Sequence, residues 1–219
     1  MTADYITVAR EATAEFTEKR SRFIGAVRPV QSEEEAAAFV AEKRAKHWNA
    51  AHNVYAYALR AGQICRYSDD GEPQGTAGIP ALQTVQGARV TDAVVVVTRY
   101  FGGVLLGTGG LARAYAKGAK VALEAAGLIY MRRRLVVSLT CDYAQYGRIG
   151  AMIPALGGVQ KNADFGAAVT LEFLLPPGER SAFEEQLADA TAGTVTAAFM
   201  GDTSIAVPIT QEGESSPKL

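Results

Sequence analysis

Ala93-Val94-Val95-Val96-Val97-Thr98 is a continuous apolar run, without the in–out alternation of a strand that has one wet face. Its valines fit a central strand covered on both sides, so the rest of the chain must supply a layer above and a layer below. A glycine-rich stretch, Gly102 to Gly110, follows. It leads into a segment over Leu111 to Ala126 in which Leu111, Tyr115, Ala119, Ala122 and Ala126 fall on one helical face, and Gly127 stops it. Strand, glycine loop and amphipathic helix in succession predict a layered α+β domain.

Residues upstream supply the neighbours. Tyr5 to Val8 and Phe23 to Val27 read as strands flanking a polar, hairpin-like stretch, Glu11 to Arg22. Ser32, with Glu35 three residues on, opens a helix through Phe39 and Val40 towards His47. Val54 to Leu59 and Ile64 to Tyr67 read as strands, and Pro80 suits the first turn of a short helix ending at Gly87. Beyond Arg132-Arg133-Arg134 the pattern becomes strand (Leu135 to Leu139), helix (Tyr143 to Leu156), two strands (Val159 to Phe165, Ala168 to Leu174), helix (Glu179 to Ala190) and strand (Thr194 to Ile209). That βαββαβ order is ferredoxin-like. It predicts a second domain over 131–210, after a first over 1–130, with a frayed polar tail at 211–219.

A chain of 219 residues, 48% hydrophobic and 21% charged, can bury two modest cores. Its net charge of −1 exerts no global pull on nucleic acid, so a polyanion would need a local basic surface. The charged N-terminus and the lack of any run of about 18 apolar residues predict a cytoplasmic protein with no membrane anchor. Cys65 and Cys141 show neither metal nor redox spacing and are expected to be reduced, buried thiols.

Three constellations bear chemistry. In the first, Ser68, Asp69, Asp70, Glu72 and Thr76 crowd into a turn with Gly71, Pro73, Gly75 and Gly78. Such a turn is either a hard-cation or acid/base site, or a bend whose carboxylates cap nearby N–H groups. The second is the stretch from Arg99 through Gly102, Gly103, Gly107, Gly109 and Gly110, where backbone N–H groups at a helix start attract anions. Thr108 stands where a phosphate-binding P-loop requires Lys, and no acidic residue follows at the distance a dinucleotide fold requires. The third is Arg113, Lys117 and Lys120, which share one helical face and form a basic stripe, weakened by Glu124, that either binds a polyanion or is simply solvated. His52, before a strand, is a ligand or a hydrogen-bonded strand end.

Taken together, Ser21-Arg22-Phe23-Ile24, His52 to Tyr57, Ser68 to Gly78 and Val97 to Gly103 resemble the IMPACT family in its bacterial YigZ branch, over almost the whole of residues 15–128. The resemblance implies that the first domain has the fold of the second domain of ribosomal protein S-five, shared with domain four of elongation factor G. It implies a second domain similar to domain five of that factor, and it supplies no catalytic residue and no cofactor. Both folds recur in ribosome and nucleic-acid binding. The expectation is a non-enzymatic protein that binds RNA or the ribosome and modulates translation, through a cleft between the Asp69–Glu72 turn and Gly102–Gly110. There Arg99, Arg113, Lys117 and Lys120 would contact phosphates, the glycines would offer N–H groups, and His52, Ser68, Asp69, Asp70, Glu72 and Thr76 would line the polar side. The alternative is a metal-assisted enzyme on a phosphorylated small molecule or nucleotide, with Asp69, Asp70 or Glu72 as ligand or base and Arg99 as clamp. A protein-interaction module is the third. Eukaryotic relatives regulate translation through an additional N-terminal interaction domain, and because this chain begins almost directly with the shared domain, that role is not expected to transfer.

Overall fold

The computed structural model describes residues 4–209, so the expected tail at 211–219 lies outside the described residues. Two compact units, one over Tyr5–Tyr130 and the other chiefly Met131–Ala206, divide the chain, and both mix helices with sheet.

The first unit runs β1 (Tyr5–Val8), β2 (Ala12–Glu18), β3 (Ser21–Pro29), α1 (Glu33–Lys46), β4 (His52–Leu59), β5 (Ile64–Ser68), α2 (Gly78–Gly87), β6 (Ala93–Tyr100) and α3 (Thr108–Ala126). Its main sheet has the order β2-β3-β6-β4-β5, every neighbour antiparallel, with β6 in the middle. Successive β6 side chains point to opposite faces. Val94 and Val96 pack with Phe39 and Val40 of α1, while Val95 and Val97 pack with Tyr115, Ala119 and Ala122 of α3. Helices on both faces thus explain a continuous apolar strand inside an antiparallel sheet. Each such valine contributes about 1.5–3 kcal/mol by leaving water.

Close approach of α3 to the sheet depends on two glycines. A Cβ at Gly25 of β3 would lie 2.1 Å from the Gly118 carbonyl oxygen, and one at Gly118 would lie 2.6 Å from a Val97 methyl. The helix therefore rests its backbone on the sheet at Gly118, with Leu111, Tyr115 and Leu123 buried beside that contact and Arg113, Lys117 and Lys120 turned outward. β2 and β3 pair from Ala12↔Val27 to Glu18↔Ser21, leaving Lys19-Arg20 as a two-residue turn with φ of 44° and 67°. Turns of that shape normally carry Asn-Gly, which is why β2 does not announce itself as a strand.

The second unit comprises most of β7 (Leu128–Cys141), then α4 (Tyr143–Ala155), β8 (Val159–Phe165), β9 (Val169–Leu175), α5 (Arg180–Thr191) and β10 (Ala198–Pro208). In its sheet β9 lies between β8 and β7, and β10 also pairs with β7. Leu135, Val137 and Leu139 of β7 and Phe173 of β9 meet Ile149 and Ile153 of α4 and Phe183 of α5 in one core. Strand β7 begins at Leu128 rather than Leu135 and runs through the three arginines, one of which, Arg133, is matched by Asp202 of β10 at 2.7 Å. Cys141 is buried, and burial pushes its thiol up. Cys65, expected to be buried, is exposed because β5 is an edge strand. Among the described residues no helix is long and apolar enough to cross a membrane.

Candidate functional site

The acidic turn between β5 and α2 is held by its own polar groups. Asp69 accepts from the backbone N–H of Gly75 (2.9 Å), Ala77 (3.0 Å) and Gly78 (2.8 Å), and so satisfies donors at the start of α2, whose capping position, Ala77, has no side chain able to do so. Asp70 accepts from Asn53 N at 2.6 Å and from the Arg44 guanidinium, and its carbonyl oxygen lies 2.8 Å from His52 Nδ1. The Ser68 hydroxyl accepts from Asp70 N, and Thr76 donates to the Pro73 carbonyl. Of the two readings open for this turn, the capping one describes how Asp69 is used. Among the described residues no three His, Cys, Asp or Glu side chains are grouped to hold a metal.

Glu72 points inward instead. Its Oε1 accepts from Arg99 Nη1 and from the Tyr115 hydroxyl, both at 2.7 Å, with His52 Nε2 at 3.7 Å. Arg99 Nη2 donates to Ser21 Oγ, which also accepts from Gly102 N, each at 3.3 Å. The acidic turn, the end of β6, the start of β3 and the glycine stretch therefore meet at Arg99. Burial, and then the bond to Glu72, push the Tyr115 hydroxyl up, so it stays a donor across the physiological range.

This meeting point is buried. Arg99 is 5% and Glu72 8% exposed, so the open cleft expected between the turn and the glycines is filled by their ion pair, and Arg99 is a structural cation rather than a surface phosphate contact. Gly102 is likewise a packing residue, since a Cβ there would lie 2.0 Å from the Arg20 carbonyl oxygen. Gly109 and Gly110 belong to the first turn of α3, and Gly103 and Gly107 are exposed.

Open space lies on the other side of the glycine stretch. A cleft of about 190 Å³ separates Phe16, Glu18 and Lys19 of the hairpin from Leu106, Arg113 and Lys117. Lys117 Nζ sits 4.4 Å from the centroid of the Phe16 ring, which fixes the ammonium over the cleft wall. Lys120 lies outside this lining, 3.8 Å from Glu124. Phe16 and Lys19 were not singled out from the sequence; a basic pair standing in for Asn-Gly at a hairpin turn is the signal that would have found Lys19.

The Impact N-terminal domain matches residues 19–123, and the domain of unknown function DUF1949 matches residues 139–194. The IMPACT family member YvyE of Bacillus subtilis is 35% identical over 194 residues, spanning 88% of this chain and 89% of that one. The chain belongs to the IMPACT family. The family member YigZ of Escherichia coli is 38% identical over 180 residues, covering 81% of this chain and 88% of its own. Protein IMPACT of Mus musculus is 34% identical over 95 residues, 42% of this chain and 30% of that protein. A crystal structure described as that of an hypothetical protein superposes with a TM-score of 0.58 at 35% identity, covering 91% of this chain and 98% of its own, as a shared α+β fold requires.

Proposed function

We propose that this IMPACT-family protein binds RNA or the ribosome without acting as an enzyme, and thereby modulates translation in the cytoplasm. The observation that carries the proposal is the convergence of Lys19, Arg113 and Lys117 on one open cleft beside the start of α3. Three cations within one concavity suit a phosphate backbone, and the helix start adds its own positive end. Asp69, Asp70 and Glu72 are engaged by N–H groups and guanidinium groups, which leaves Glu18 as the carboxylate lining the cleft. The strand and helix order of the second unit is that of a ferredoxin-like module such as domain five of elongation factor G. With a first unit read as similar to the second domain of ribosomal protein S-five, analogy favours the ribosome.

A salt-dependent RNA titration tests this. Each phosphate neutralised adds about −0.7 to the log–log slope on a single strand and about −0.9 on a duplex, so three cations predict a slope of roughly −2 to −3. Arg113→Glu with Lys117→Glu should flatten the slope by about two contacts. A slope near zero for the unaltered protein, or one untouched by the double substitution, removes the proposal.

A further inference from the structure

We propose that Trp48 is a base-stacking platform at the far end of a single-stranded nucleic-acid track that starts in the Lys19–Arg113–Lys117 cleft. The inference rests on the RNA-binding proposal above and adds the form of the ligand.

Trp48 follows the end of α1 and is 82% exposed, in contrast to the usual strong burial of an indole. Its position is nevertheless well defined. His47 Nδ1 lies 2.9 Å from the Tyr100 hydroxyl, and that hydroxyl lies 3.4 Å from Asn49 Oδ1, so the residues on both sides of Trp48 are tied to one group on β6. Bonds from Ala50 N to the His47 carbonyl and from Ala51 N to the Arg99 carbonyl close the turn. A rigid backbone therefore presents an aromatic face to water.

The surroundings are basic. Lys46 precedes the turn and is exposed, and the Arg22 guanidinium lies 5.9 Å from the Tyr100 ring centroid. Burial, followed by the fields of Lys46, Lys43 and Arg22, holds His47 below the usual histidine range. Cations here are matched by carboxylates: Glu15 pairs with Arg22, Asp70 with Arg44, and both Glu11 and Glu42 with Lys43. The Arg22–Glu15 pair is more than half exposed on both partners, where such pairs are weak and a phosphate can replace the carboxylate.

Trp48 and the cleft lie at one end of the sheet but on opposite faces. Tyr100 and Arg22 share the α1 face with Val96 and Ala26 while Phe16 and α3 lie on the other, so the track turns over the tip of the β2–β3 hairpin. Arg22 stands opposite Tyr100 in the β3–β6 register, the Arg20 carbonyl abuts Gly102, and Lys19 lines the cleft. Lys19 and Arg20 both hold left-handed backbone, which glycine or asparagine would adopt with less strain. Two cations are thereby displayed at the hairpin tip, where the path turns into the cleft. Phe101, half exposed and stacked at 5.4 Å from the Arg99 guanidinium, adds a second ring beside it. Cations interleaved with exposed aromatic rings are what a single strand needs, because its bases have free faces, whereas a duplex keeps its bases stacked inside.

Trp48 is the one tryptophan in the chain, so its emission reports on this place alone. The full chain is titrated with oligoadenylate of about ten nucleotides and, separately, with duplex RNA of the same length, reading emission together with the anisotropy of end-labelled nucleic acid. Stacking predicts saturable quenching by the single strand and a loss of about 5- to 150-fold in single-strand affinity for Trp48→Ala. Trp48→Phe should restore most of it, and duplex affinity should not change. Binding with steady emission, and with Trp48→Ala equal to the unaltered protein, overturns the stack while leaving the cleft proposal standing. An equal loss for single strand and duplex also overturns it, since the indole would then only shape the surface. No binding of either nucleic acid removes both proposals.

Discussion

Replacing Arg99 with methionine keeps the aliphatic bulk and removes the charge. It leaves the Glu72 carboxylate, its side chain 3% exposed, facing the Tyr115 hydroxyl at 2.7 Å and His52 at 3.7 Å. Breaking a buried pair from one side costs about 3–5 kcal/mol, because the surviving charge is neither solvated nor neutralised. Retention of the Tyr115 bond argues for the lower end. Loss of the guanidinium between Phe23 and Phe101, 5.6 and 5.4 Å from their centroids, adds about 0.5–1 kcal/mol. A domain stable by about 5–15 kcal/mol stays folded, so the loss is measurable by native-state hydrogen exchange. Amides of β6 should exchange roughly three-hundred- to twenty-thousand-fold faster, since each 1.4 kcal/mol is about a factor of ten. Amides of β9, in the other unit, serve as the control and should not change. Adding Glu72→Gln should recover much of the loss, because a neutral pair no longer carries a stranded charge. A change below about 1 kcal/mol in the single variant, or a double variant no better than the single, would refute the claim that this pair ties the turn to β6.

Two further outcomes follow from the same geometry. His47 should titrate below its ordinary value of 6.5, so its contribution to stability is complete above that pH and is lost as pH falls through the depressed folded-state value. In proton NMR its midpoint should rise in Lys46→Ala, and again when oligonucleotide phosphates offset the local field; a free-protein midpoint at or above 6.5 contradicts the positive surface. Asp69→Ala should cost about 1–2 kcal/mol by removing the acceptor at the start of α2. The urea midpoint reads the loss, and an unchanged midpoint would mean that the three bonds are redundant.

Legibility from sequence followed the strength of local periodicity. The Ser32 cap was readable because its hydroxyl does accept from Glu35 N, although the Glu35 carboxylate reaches Gln31 N rather than closing back on Ser32. Helix α3 starts at Thr108, earlier than Leu111, because Gly109 and Gly110 carry low helix propensity and only the fold holds them helical. Strand β2 was hidden by its charges: it is an edge strand whose Phe16 stacks on Phe23 at 5.2 Å while Glu15 and Glu18 face water.

The candidate site divides along the same line, for a reason residue types alone cannot express. An arginine after an apolar strand and an arginine on a helix carry the same charge, and only the layering decides which reaches solvent. Since β6 is the middle strand, Arg99 at its end lies under the glycine stretch and needs Glu72; since α3 rests its glycine and alanine face on the sheet, Arg113 and Lys117 must point away from it. The densest motif therefore builds the support, and the solvent-facing charge comes from the Arg113–Lys117 stripe, readable in the sequence, together with Lys19 in a turn lacking Asn-Gly, while the exposed indole at a helix end carried no sequence signal. A ligand for this surface should consequently be sensitive to Lys19, Arg113, Lys117 and Trp48 directly, and to Arg99 only through the stability of the shelf on which they stand.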